Sequence, residues 1–216
     1  MEKVFIVAAK RTAIGSFGGS LKNVQAGPLA AAAIKGALES SAVNPEAVDE
    51  VLVGNVVGAG QGMGVGRQAA ILAGIPETTP AYSLNMVCGS GMKTVMDAVS
   101  HIRSGDANVV VAAGVEVMSQ IPFIVPSSIR DGHKMGNMNL VDLLINDGLT
   151  DVFNQYHMGV TAENIAREVG ISREAQDEYA LNSQQKAVTA IEAGKFKDEI
   201  VPVEIKVKRD SLQFDT

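Results

Sequence analysis

The sequence predicts an α/β fold built on a mostly parallel sheet. Short apolar, β-branched runs alternate with helix-period segments through residue 118. One run, "NVVVAAGVEVM" (108–118), is almost continuously apolar, the pattern of a strand covered on both faces. The 22 glycines, together with abundant alanine, suit close backbone approach between packed elements.

In chain order, "KVFIVAA" (3–9) reads as a buried strand because it is short, apolar and β-branched. "KRTAIGSFGGSL" is a loop, broken by Gly15, Gly18 and Gly19. Pro28 opens an alanine-rich helix to about Ser41, and Asn44-Pro45 is a turn. "VDEVLVGNVV" (48–57) is a second strand. "GAGQGMGVG" has glycine at 58, 60, 62, 64 and 66, which invites a phosphate-loop reading. No Gly-x-Gly-x-x-Gly register fits it and no Gly-Lys-Ser/Thr follows, so it reads as a surface or interface loop before a helix at "RQAAILAG".

"AYSLNMV" (81–87) is a third strand. Met92, Val95, Met96, Val99 and Ile102 then share one helix face, with Lys93 and Asp97 as an i,i+4 pair beside it. Residues 108–118 form the fourth strand. Beyond Met118 the pattern becomes irregular, with Pro122 and Pro126, and so long an irregular stretch is usually functional or an interaction element. Thr161 is placed to cap "AENIAREVG", closed by Gly170. Ser172 is placed to cap a longer helix ending at Gly194, with Tyr179, Ala180, Ala187, Ala190 and Ile191 near one face. "EIVPVEIKV" is a strand, and "RDSLQFDT" shows no helix or closing motif.

Hydrophobic residues make up 46% and charged ones 19%, an ordinary globular balance. No apolar run approaches the roughly 18 residues of a membrane span, and the N-terminal run is too short for a signal peptide. A net charge of −6 argues against general nucleic-acid binding. A single cysteine forms no intrachain disulfide, which fits a cytoplasmic setting.

That cysteine, Cys88, lies in "YSLNMVCGSGMKTV", where the third strand meets a helix. A helix start favours a thiolate through its unpaired N–H groups and dipole. Gly89 and Gly91 clear side chains from the turn, so a substrate carbonyl can approach the backbone. The layout follows the strand–turn–helix logic of the serine nucleophile elbow. A lone cysteine without context is more often a small core hydrophobe. "CGSG" at a strand-to-helix junction favours the nucleophile, and a thiolate suits exchange with a thioester. Such chemistry also needs a base and oxyanion donors. Of the three histidines, His101 reads as a solvated residue on the polar side of the Cys88 helix, and His133 as part of a charged loop. His157, in "YHMG" before a helix, remains open between structure and function.

"LNMVCGSGMKTV" resembles the nucleophile segment of thiolases. "RTAIGSFGG", "GRQAAILAGIP", "DGLTDVFNQYHMGVTAENIA", "ISREAQDEYALNSQQKA" and "GKFKDEIVPVEI" are similar to thiolase segments in the same order over nearly the whole chain. "YHMG" and the 119–149 stretch are closest to the short-chain, biosynthetic branch. The resemblance implies a thiolase-like α/β fold, a mixed sheet with helices on both faces. Residues 1–118 would form an incomplete N-terminal core half. Residues 119–216 would form an inserted loop domain with a tetramerisation-type loop and CoA-covering helices.

It also implies acetyl transfer between two acetyl-CoA molecules, giving acetoacetyl-CoA and CoA, or the reverse thiolysis. Cys88 matches the acyl-accepting nucleophile, and Leu149, His157 and Met158 match pocket residues contacting CoA or its acyl end. No metal or cofactor is implied, since the CoA thioester is substrate. A homodimer or homotetramer is expected of a full-length enzyme, with no nucleic-acid or membrane partner. Family chains run to nearly twice this length. Their activating histidine, second cysteine and water-holding asparagine come from a C-terminal half absent from these 216 residues. "GMGVGRQAA" and Val117 in "GVEVMSQ" stand where the family usually has an asparagine-proline pair and an asparagine. The expectation is therefore a truncated form with little activity alone. The alternative is a non-catalytic fragment that binds acyl-CoA or modulates oligomers. A ketosynthase-type condensing enzyme shares the fold and cysteine, but "YHMGVTAENIA" argues against it.

Overall fold

The structure is a computed structural model that describes residues 3–207 and 210–215. It divides into two units, Met1–Leu144 with Ile200–Thr216, and Ile145–Glu199.

The first unit is built on a parallel sheet. After β1 (Arg11–Thr12) comes the alanine-rich α1 (Ala26–Ser41), then β2 (Glu50–Gly54), α2 (Val65–Leu72), β3 (Ala81–Leu84), α3 (Ser90–Ser104) and β4 (Val110–Gly114). The strand order is β3-β2-β4, with both pairings parallel. β2 is central, so Val51, Leu52 and Val53 are wholly buried. Val51 and Val53 pack with Ala30, Ala31 and Ile34 of α1 and Ala69 and Ala70 of α2. On the other side Gly54 meets the first turn of α3, so helices cover both faces, as the sequence predicts. Small residues set the spacing: a Cβ on Gly66 of α2 would stand 2.3 Å from the Tyr82 carbonyl oxygen of β3.

The strand expected over 3–9 does not form. These residues carry no regular structure, and Phe5, Ile6 and Val7 are 73%, 81% and 69% exposed. An apolar, β-branched run favours extended backbone, but a strand also needs a partner ladder. Among the described residues that ladder begins only at β1, whose Arg11 and Thr12 pair parallel with Ile200 and Val201 of β9 (Ile200–Val201). β4 also departs from expectation: Val110–Ala113 are half-buried and Gly114 is exposed, because β4 is an edge of the described sheet.

Asp49 ties the entry of β4 to that of β2. Its carboxylate accepts the N–H groups of Asn108 at 2.7 Å and Val109 at 3.0 Å. Those bonds, led by the one from Asn108, hold its carboxyl below the ordinary carboxylate value. A depressed folded value contributes stability above the unfolded value and loses it as pH falls through the folded one. Asp49→Asn is therefore expected to flatten the fall in thermal midpoint between about pH 5 and pH 2. Parallel curves for variant and wild type would refute the assignment.

The chain after β4 forms short pieces: β5 (Phe123–Ile124) pairs antiparallel with β6 (Val141–Asp142), and α4 (Leu143–Gly148) follows. In the second unit β7 (Thr150–Asp151) and β8 (Tyr156–His157) form a small antiparallel pair before α5 (Met158–Val169) and α6 (Arg173–Glu192). Ser172 caps α6 by accepting the Ala175 N–H, and left-handed Gly170 closes α5, both as predicted. The expected apolar face of α6 is not buried: Ala190 is half-buried, and Tyr179, Ala180, Ala187 and Ile191 are exposed. Back in the first unit, β10 (Val203–Val207) pairs antiparallel with β11 (Asp210–Phe214), a hairpin in the segment where the sequence showed no closing motif.

Candidate functional site

Cys88 is exposed, one residue before the N-cap Gly89 of α3. β3 ends at Leu84 and α3 begins at Ser90, so five residues, 85–89, turn the chain from the sheet into the helix. Val87 stands at φ +48°, left-handed backbone that a β-branched residue rarely adopts. Such strain costs of the order of 1–3 kcal/mol and persists only where neighbours over-determine it.

The neighbours are local. Met86 N–H donates to Ser90 Oγ at 2.8 Å, and that hydroxyl donates to the Val87 carbonyl at 2.6 Å. Ser90 is buried, so its hydroxyl is fixed. Val87 N–H donates to Asn85 Oδ1 at 2.8 Å, and Asn85 Nδ2 donates to the Val56 carbonyl at 3.0 Å in the loop after β2. That loop is tied to the chain after β4 by Glu116, whose carboxylate accepts the N–H groups of Val56 at 2.8 Å and Val57 at 3.1 Å. Asn55 donates to the Val115 carbonyl at 3.1 Å. Thr94, wholly buried in α3, sets its hydroxyl 2.8 Å from the Gly91 carbonyl oxygen and 3.2 Å from that of Ala113. The C-terminal ends of three parallel strands are thereby laced together beneath an exposed thiol. Among the described residues no side chain hydrogen-bonds to that thiol.

Asn85, Ser90 and Glu116 were not singled out from the sequence. Asn85 and Glu116 carry one signal, their placement within two residues of strand ends, where parallel α/β sheets build their sites, whereas Ser90 is the first residue of α3.

In the second unit, the hairpin of β7 and β8 brings Leu149, His157 and Met158 together: Met158 N–H donates to the Leu149 carbonyl at 2.8 Å. His157 is the N-cap of α5, its Nδ1 accepting the Gly159 N–H at 2.9 Å. That bond leaves Nδ1 unprotonated and Nε2 to carry the proton of the neutral ring. Thr161, expected as the cap, lies inside the helix, its Oγ1 buried without a partner. Imidazole rarely caps helices, and threonine often does, so composition points four residues too late.

His101 is not simply solvated: its Nδ1 lies 2.6 Å from Glu50 Oε2, tying α3 to β2. Near this pair, burial first and then the charges of Glu50 and Asp97 push the Tyr82 phenol up from its ordinary value. His133 Nε2 bonds to the Gly136 carbonyl at 2.8 Å within an exposed loop. The glycine-rich loop leads into α2 as predicted; Gln68 Nε2 donates to the carbonyls of Gln61 and Met63 and braces it.

A family model described as the thiolase N-terminal domain matches residues 4–216. An acetyl-CoA acetyltransferase of Chromobacterium violaceum is 55% identical over 214 residues, covering 99% of this chain and 54% of its own. One from Cupriavidus necator is 55% identical over 217 residues, covering 100% of this chain and 55% of its own. The crystal structure of the Bacillus anthracis acetyl-CoA acetyltransferase superposes with a TM-score of 0.93 at 39% identity, over 98% of this chain and 53% of that one. The chain spans about half the length of the curated relatives it matches.

Proposed function

The chain belongs to the thiolase family, and from that premise we propose that it carries the acyl-accepting half of an acetyl-CoA acetyltransferase reaction. The Cys88 thiolate attacks the acetyl carbonyl of acetyl-CoA, the carbon–sulfur bond to CoA breaks, and CoA leaves with a proton. A second acetyl-CoA gives up an α-proton to a base. Its carbanion attacks the acetyl-cysteine, and the Cys88 thiolate leaves as acetoacetyl-CoA forms. Thiolysis is the reverse. Splitting the transfer through a covalent intermediate gives ping-pong behaviour. First-turn N–H groups of α3 are suited to a developing oxyanion. Leu149, His157 and Met158 contact CoA or its acyl end. No metal or redox cofactor takes part, and the protein acts in the cytoplasm as a homodimer or homotetramer.

The observation that carries this reading is the exposed thiol of Cys88 at the start of α3, beside a left-handed Val87. Since no described side chain hydrogen-bonds to that thiol, we propose that these 216 residues alone do not sustain condensation.

The test incubates the chain with acetyl-CoA and reads the intact mass, the labelled peptide and acetoacetyl-CoA. One acetyl adduct on Cys88 without sustained acetoacetyl-CoA is expected. Robust condensation would sink the second claim. Saturable CoA binding without an adduct would favour a non-catalytic acyl-CoA-binding role.

A further inference from the structure

We propose that Glu116 is a positioning residue for the Cys88 turn, acting through a directional chain of hydrogen bonds that ends one residue before the sulfur. The inference rests on the reading of Cys88 as the acyl-accepting nucleophile. Glu116 Oε1 accepts the Val57 N–H at 3.1 Å. The carbonyl of that same peptide unit, Val56 C=O, accepts from Asn85 Nδ2 at 3.0 Å. The other end of that same carboxamide, Asn85 Oδ1, accepts the Val87 N–H at 2.8 Å. Every link points the same way, from carboxylate through peptide and carboxamide to the Val87 amide.

Hydrogen bonds in series polarise one another. A carboxylate on the N–H of an amide makes its carbonyl a stronger acceptor. The Val56–Val57 peptide therefore grips Asn85 more firmly, and a polarised Asn85 carboxamide grips Val87 more firmly in turn. Val87 has most need of that grip, since its φ of +48° relaxes if the restraint fails. Glu116 follows β4 and Cys88 follows β3, the two outer strands of the described sheet, and the chain of bonds passes by the loop after central β2. Glu116 is thus joined to the position of the thiol without touching it.

The test uses the 216-residue chain, with amide exchange of Val87 and acetylation of Cys88 read separately. Asn85→Ala is expected to speed Val87 exchange about tenfold, and Glu116→Ala by several-fold, from loss of one strong and one transmitted bond. Glu116→Gln keeps an acceptor without the charge and is expected to sit between Glu116→Ala and wild type. Amides of α1 (Ala26–Ser41) are the control, because general destabilisation speeds them too. In the double variant Asn85→Ala with Glu116→Ala, exchange is expected to match Asn85→Ala alone, since the chain is already cut. Wild-type Val87 exchange in a folded Glu116→Ala overturns the proposal, as does simple additivity in the double variant. Should Glu116→Ala fail to fold, unchanged Val87 exchange in Glu116→Gln overturns it instead. Failure of wild-type Cys88 to accept an acetyl group counts against the nucleophile reading and leaves the exchange result to stand by itself.

Discussion

Cys88→Ala is expected to lower acetyl labelling of this chain by about three orders of magnitude or more, on the proposed acyl-accepting role of the thiol. The size follows from the role. Without the thiol no acyl-enzyme forms, and what remains is orientation and oxyanion stabilisation around a direct transfer that the two-step route avoids. Stability should hardly change, because Cys88 is exposed and its side chain fills no core position. The two readouts therefore separate: activity lost, thermal midpoint kept. Cys88→Ser should lose nearly as much, since an unassisted hydroxyl is far less nucleophilic than a thiolate near neutral pH. As the chain has one cysteine, any acetyl adduct surviving in Cys88→Ala must sit on another residue type. Retention of a tenth of the labelling rate would remove Cys88 from the proposed mechanism.

Much of this site was legible because its signals are local. The strand character of "AYSLNMV" (81–87), the apolar spacing from Met92 to Ile102 and the glycines after Cys88 place a strand, a turn and a helix, and the structure has all three, although its strand stops at Leu84. The Ser172 cap and the Gly170 stop are likewise encoded within a few residues. What remained hidden depends on partners distant in sequence. "KVFIVAA" has strand composition, yet whether a strand forms depends on which backbone lies alongside. The hairpin of β10 and β11 is hidden for the opposite reason: its second strand is polar enough to read as loop until its partner is known. Glu116 lies 31 positions beyond Asn85 in the sequence, and only the parallel pairing of β2 with both neighbours brings their hydrogen bonds to one loop. His101 belongs to the same class: helix periodicity shows a polar face, but its partner Glu50 is on a strand 51 residues earlier.

Gly54→Ala is expected to destabilise the first unit and to disturb the Cys88 turn together. A Cβ there would stand 2.6 Å from the Ser90 carbonyl carbon, 2.7 Å from Gly91 N and 2.8 Å from the Ser90 carbonyl oxygen. All three are backbone atoms, so no rotamer change relieves the clash, and β2 and the first turn of α3 must part. Overpacking of this kind costs about 1–3 kcal/mol. The lower entropy of the unfolded chain offsets about 0.4–1 kcal/mol of that. A net loss of about 1–2 kcal/mol corresponds to a fall of roughly 2–8 °C in thermal midpoint for a chain of this size. Gly91→Ala is the matched control. It lies across the same contact, but its Cβ would meet only the Gly114 Cα, at 4.0 Å, so alanine should be neutral or mildly stabilising in the helix. Equal midpoints for the two variants would show that β2 and α3 do not meet as closely as described. The displacement in Gly54→Ala also carries Ser90, whose hydroxyl bridges Met86 N–H and the Val87 carbonyl. Acetylation of Cys88 should therefore slow even at temperatures where the variant is fully folded, because the glycine that lets the helix approach the sheet also sets where the thiol stands.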